Sequence, residues 1–139
     1  MLKLKVFSHP DYSFPLPAGH RFPMEKFEIL RQSLLQDKAF EVTAPVSLEK
    51  DDAELIHSVD YVARFIEGKF DTKETRKAGL PWSEQLVRRT FLECGGTFSA
   101  ALAALEDGYS GNAAGGTHHA YPDYASGFCL LNDLAITAA

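Results

Sequence analysis

"GNAAGGTHHAYPDYASGFCLLND", residues 111–133, sets two adjacent histidines between a glycine pair and a Gly-Phe-Cys stretch. Neighbouring residues on extended or looped backbone point in different directions, so His118 and His119 do not make the single-face pair of a helical HExxH motif. Two positions around one small substrate suit them better. Gly115 and Gly116 let the backbone approach a ligand or take positive φ, and Gly127 and Phe128 offer bare backbone beside an aromatic wall. Together these residues fit a narrow tunnel that ends at the imidazoles.

Working outward from this stretch, "GNAAGG" reads as a small-residue strand or strand end, and "LLNDLAITAA" as a helix entered near Asn132 and Asp133. Upstream, "PWSEQLVRRTFLECGGTFSAALAALEDG" (81–108) predicts one long helix, capped by Ser83 and stopped by Gly108. Gly95 and Gly96 inside it cost about 1 kcal/mol each relative to alanine. Such a cost implies either close packing against another backbone or a kink. "APVSLEKDDAELIHSVDYVARFIEG" (44–68) predicts two short helices, capped by Ser47 and Ser58 and closed by Gly68, with His57 at their junction. The spacing of Met24, Phe27, Leu30, Leu34 and Leu35 predicts a helix from Met24 to Lys38, with Pro23 in its first turn. "LKLKVFSH" reads as a strand, "PDYSFPLPAGH" as a proline-bound loop, and "DTKETRKAG" as a polar, charged stretch. Strand and helix patterns alternate, which predicts a single α/β domain over 1–139 with a largely parallel sheet.

Composition narrows the function classes. Hydrophobic residues are 45% and charged residues 24%, as in an ordinary folded domain. Lys and Arg number 14 against 19 Asp and Glu, a formal charge of −5 with no basic stripe, which argues against direct nucleic-acid binding. Cys94 and Cys129 form no CxxC pair and read as reduced thiols, which places the chain in a cytoplasmic compartment. Neither a signal-peptide pattern nor a membrane-length apolar run is present, so no export and no membrane span are expected. For His9, His20 and His57 the plain reading is a satisfied polar group. The pair taken by itself admits the same plain reading, and it equally allows one imidazole to take a proton from water while the other, protonated, delivers one to a leaving group, as hydrolysis of an amide requires.

The whole segment, "GGTHHA" followed by "GFCLLNDLAIT", resembles the active-site signature of the histone deacetylase family, zinc amidohydrolases of the arginase/deacetylase fold. "HRFPMEKFEIL" (20–30) is similar to the family's early Arg-containing loop and helix, "IHSVDYV" (56–62) to its HxxxY helix, and 79–105 to its long helix. The wording of "HRFPMEKF" and "LPWSEQLVRRT" is closest to the class IV and bacterial deacetylase-like branch. The resemblance spans nearly the whole chain and implies a three-layer α/β fold. It also implies an acetylated lysine or acetylated amine as substrate, with His118 as general base and His119 as its electrostatic partner or general acid. Gly127 and Phe128 would line the acyl-lysine tunnel; Arg21 and Gly115 would border the inner cavity through which acetate leaves. A structural reading stands beside two of these: Arg21 holding a loop and Phe128 packing in the core.

The resemblance also implies what these residues lack. In the family, zinc is held by two aspartates and a histidine after the GFCxxND helix, and a later tyrosine polarises the substrate carbonyl. Those ligands are expected beyond residue 139, and no metal site is expected within the chain. Carboxylates that orient the imidazoles are expected there too, so that neither the tautomers nor the pKa values of the pair would be set as the mechanism needs. The ending "ITAA" reads as the middle of a helix, hence a domain incomplete at its C-terminus, completed by a longer product or by a second chain. The expectation is a zinc-dependent deacetylase segment inactive by itself. The alternative is a non-catalytic binding or assembly module of the same fold.

Overall fold

Leu4 and Lys5 precede the buried pair Val6 and Phe7 in β1 (Leu4–Phe7), the central strand of the sheet. The structure, a computed structural model, describes residues 2–139; residue 1, the first of the expected domain, lies outside the described residues. On one side β1 pairs in parallel with β2 (Phe40–Thr43), Val6 opposite Val42, and on the other with β3 (Gly111–Asn112), Val6 opposite Gly111. The strand order is β2-β1-β3. Parallel neighbours require long crossovers, and helices fill them. Between β1 and β2 run a 3-10 turn (Pro10–Tyr12) and α1 (Lys26–Gln36); between β2 and β3 run α2 (Lys50–Ala53), α3 (Val59–Ile66), α4 (Thr72–Ala78) and α5 (Glu84–Asp107). Helix α6 (Asp133–Ala138) follows the loop that carries the histidines. The α/β class with a parallel sheet is what the chain adopts.

Most helix ends fall where their caps predict. The hydroxyl of Ser58 accepts from the Tyr61 amide at 3.3 Å, that of Ser83 from Leu86 at 3.0 Å, and the Asn132 side chain from Ala135 at 3.0 Å. Gly108 ends α5 in the left-handed region at φ 89°. Three expectations differ. Helix α2 is capped by Glu49 and not Ser47, because the Asp52 carboxylate accepts from the Glu49 amide at 2.8 Å while the Ser47 hydroxyl turns to the Leu48 carbonyl. Helix α1 is shorter than Met24–Lys38: Pro23 and Met24 form i→i+3 turns ahead of it, and Leu30 and Leu35 face solvent. The charged stretch at 72–78 is a helix, α4, made by a reciprocal cap between Asp71 and Glu74 and by Gly79 at φ 82°.

Gly95 and Gly96 are close-packing residues, and α5 runs through them unbroken. A Cβ on Gly95 would sit 1.7 Å from the Val46 carbonyl oxygen, and one on Gly96 would sit 2.1 Å from the Tyr12 hydroxyl. Backbone cannot yield as a flexible side-chain end does. Gly95→Ala is therefore expected to cost roughly 3 kcal/mol of stability, readable as a lower urea midpoint of the natural protein.

The core joins Tyr61 and Phe65 of α3, Leu86 and Cys94 of α5, Leu131, and Ile136 of α6. The 113–132 loop itself contributes Ala125, Leu130 and Leu131 to it. Among the described residues no helix is long and apolar enough to cross a membrane.

Candidate active site

The loop before the histidines is pinned by one carboxylate. Asp133 is fully buried, and its two oxygens accept from the backbone amides of Gly116 and Thr117, each at 2.8 Å. The Thr97 hydroxyl of α5 donates to it at 2.5 Å. The Thr117 hydroxyl lies 2.6 Å from the Leu131 carbonyl and 3.0 Å from Asp133, and accepts from the Asp133 amide at 3.2 Å. Gly115 closes the knot at φ 90°: a Cβ there would lie 2.5 Å from the Asp133 carboxylate and 2.6 Å from the Thr97 hydroxyl.

From this anchor His118 and His119 project outward, both exposed, with ring centroids 4.2 Å apart and planes inclined by 43°. His118 Nδ1 lies 2.9 Å from the Gly116 carbonyl oxygen. A carbonyl only accepts, so Nδ1 carries the hydrogen and Nε2 of the neutral ring keeps its lone pair. His118 thus has a tautomer-setting partner in its own backbone.

Beside the pair, Ser126 and Cys129 exchange backbone hydrogen bonds of 3.1 and 2.9 Å across Gly127 and Phe128, at φ 53° and 66°. Positive φ at both central residues is the signature of a type I′ hairpin turn. Phe128 is the one non-glycine residue at positive φ among the described residues, a conformation that costs on the order of 1–3 kcal/mol. The end of α4 holds it there: the Lys77 carbonyl accepts from Gly127 at 3.3 Å and the Ala78 carbonyl from Phe128 at 2.9 Å. The Phe128 ring rests on Gly79, where a Cβ would come within 2.8 Å of it. Gly127 faces His119, with room for a Cβ 3.8 Å from the His119 Cβ.

Of the remaining expected site residues, Arg21 is exposed with its guanidinium 5.2 Å from the Phe128 ring centroid, and Phe22 packs on the same ring at 4.9 Å. The structure therefore joins Arg21 to Phe128, and Gly115 to Asp133 and Thr97. Asp133, Thr97, Thr117 and α4 were not singled out as site-forming by the sequence, although the "ND" before an apolar run did mark the start of α6.

Below the loop, Arg89 and Glu93 form a buried ion pair at 3.1 Å, each 3% exposed. Burial raises the Glu93 pKa, and the Arg89 guanidinium opposes the rise. Burial also pushes both Cys94 and Cys129 thiols up, away from the reactive thiolate form. His57 is buried and uses both ring nitrogens, Nδ1 at 2.9 Å from the Tyr121 carbonyl and Nε2 accepting from the Asn132 amide at 3.0 Å. His9 and His20 also accept from nearby backbone amides. Among the described residues no three His, Cys, Asp or Glu side chains converge on a point where they could share a metal ion.

Residues 20–139 match the family model described as the histone deacetylase domain. The chain belongs to the histone deacetylase family. An uncharacterised protein of Picosynechococcus sp. is 48% identical over 134 residues, which are 94% of this chain and 45% of that protein. The acetoin utilization protein AcuC of Staphylococcus aureus is 30% identical over 146 residues, covering 96% of this chain and 38% of its own. Among solved structures, an HDAC homologue in complex with SAHA superposes with a TM-score of 0.75 at 24% identity, covering 99% of this chain and 40% of the other. An HDAC homologue from Aquifex aeolicus gives 0.73 at 22%, with the same coverage. At such identity the likeness is one of fold. This deacetylase-family chain thus spans less than half the length of the relatives it matches.

Proposed function

We propose that the protein carrying these residues is a zinc-dependent hydrolase that removes acetyl or other acyl groups from lysine side chains or related amines. The observation that carries this reading is the exposed His118–His119 pair, its rings 4.2 Å apart beside Gly127, on a loop fixed by a buried carboxylate. With Nδ1–H tied to Gly116, His118 Nε2 is free to take a proton from the attacking water, and His119 is the partner that stabilises charge or protonates the leaving amine. Gly127 and Phe128 line the approach of the acyl-lysine chain. Arg21 and Gly115 border the way out for acetate, Arg21 from its place on Phe128 and Gly115 from its place against Asp133 and Thr97.

The zinc that the family implies does not fit the described residues, which offer no shared set of donors. Its ligands belong to residues outside these 139, from the same product or from a second chain, and the 139 residues alone are inactive. Two buried free thiols suit a cytoplasmic setting, and the charge of −5 disfavours nucleic acid as a direct partner.

The test offers the full natural protein a panel of acetyl-lysine peptides and N-acetylated polyamines and follows free amine. Release that stops on chelation and returns with zinc is expected. No release from any acylated amine would contradict the reading.

A further inference from the structure

Two stretches of one loop carry the candidate chemistry, the histidines at 118–119 and the Gly127–Phe128 turn, and something must hold them in register. One short helix entry does so from behind. The His57 ring donates from Nδ1 to the Tyr121 carbonyl and accepts at Nε2 from the Asn132 amide. The Ser58 amide donates to the Pro122 carbonyl at 2.8 Å, and the Tyr61 hydroxyl to the Leu130 carbonyl at 2.6 Å. Two of these four bonds grip the chain just after His119, and two grip it just after the Gly127–Phe128 turn. Asn132 in turn caps α6 and sends its side-chain amide to the Ala120 carbonyl at 3.2 Å.

We propose that His57 is a positioning residue for the His118–His119 pair: its neutral Nδ1–H ring, bonded at both nitrogens, clasps the two ends of the loop so that the imidazoles and the Gly127–Phe128 turn keep one geometry. The kinetic part of this inference rests on the deacetylase reading. The clasp requires one tautomer, because only a ring protonated at Nδ1 alone can donate to one backbone group and accept from the other. Protonation turns Nε2 into a donor that faces the Asn132 N–H and opens the clasp. From α3 the Tyr61 ring faces His57 at 5.6 Å, and from the loop the carbonyls of Tyr121 and Pro122 do; among the described residues no charged side chain shifts its titration. Burial lowers its pKa below the ordinary 6.5 and keeps it neutral. The clasp is intact above that ordinary value and is lost as the pH falls through the lowered one.

Three variants of the full natural protein separate positioning from bulk packing. His57→Leu removes both bonds, His57→Asn keeps a donor near the Tyr121 carbonyl, and His57→Gln sets a carbonyl oxygen where Nε2 accepted. With an acetyl-lysine peptide, the leucine variant is expected to lose roughly 100-fold in kcat with little change in KM, as a displacement of about 1 Å at the reacting groups does. The asparagine and glutamine variants recover part of that loss, and the glutamine variant shows a shallower acid limb than the wild type. A leucine variant with wild-type kcat, or polar variants no better than leucine, overturns the proposal. Ring 15N spectra of the wild type report on the clasp without turnover: a neutral Nδ1–H ring at pH 7 supports it, and an Nε2–H ring or an imidazolium overturns it. A wild type without turnover but with the Nδ1–H signal counts against the deacetylase reading and for the clasp.

Discussion

Replacing Asp133 by alanine is expected to destabilise the protein by about 4 kcal/mol, enough to unfold much of a marginally stable domain. Its carboxylate accepts from the Gly116 and Thr117 amides and from the Thr97 hydroxyl, and none of it reaches solvent. Removing it leaves the buried Thr117 amide without an acceptor and takes one from the part-buried Gly116 amide and Thr97 hydroxyl, each a loss of about 1–3 kcal/mol, partly relieved by relaxation or entry of water. Asp133→Asn keeps the shape but puts a donor where only acceptors fit, so about half the loss is expected to remain. Urea denaturation of wild type and both variants reads the order directly. An alanine variant as stable as the wild type would show that the loop is held by other contacts.

His119→Ala is expected to reduce turnover of an acetylated amine by roughly 100- to 10,000-fold, the range in which a positioned proton-transfer group contributes. The side chain is exposed and makes its closest ring contact with His118, so stability should change little. Zinc content of the natural protein should also stay unchanged, because neither imidazole is assigned as a ligand. Loss of zinc in step with His119 would move that residue from proton handling to metal binding. Unchanged turnover would remove it from the site altogether.

How much of this was legible depends on the range of each interaction. The histidines, their glycine frame and the Gly-Phe-Cys turn lie within one short stretch, and the caps at Ser58, Ser83 and Asn132 act over three residues, so local pattern reaches them. Asp133 did not reveal its role because a residue just before an apolar run looks like a helix-start aspartate, and only the folded loop turns its carboxylate back onto 116 and 117 and brings up Thr97. The α4 helix has Ala78 as its one buried residue and therefore no apolar stripe to read, yet its end carries the Phe128 turn. The glycines at 95 and 96 signalled either a close approach or a kink, and only the nearness of Val46 and Tyr12 separates the two. His57 was readable as a satisfied polar group, but its partners at 121 and 132 belong to the folded loop.

The role proposed for the His118–His119 pair is proton handling in an amide-hydrolysing site. It is tested most directly by acetate release from an acetyl-lysine peptide, measured side by side for the full natural protein and for its His118→Ala/His119→Ala double variant. Turnover by the first and none above background by the second is expected, with both folded to the same extent. No acetate from the wild type, or equal release from the two proteins, would contradict it.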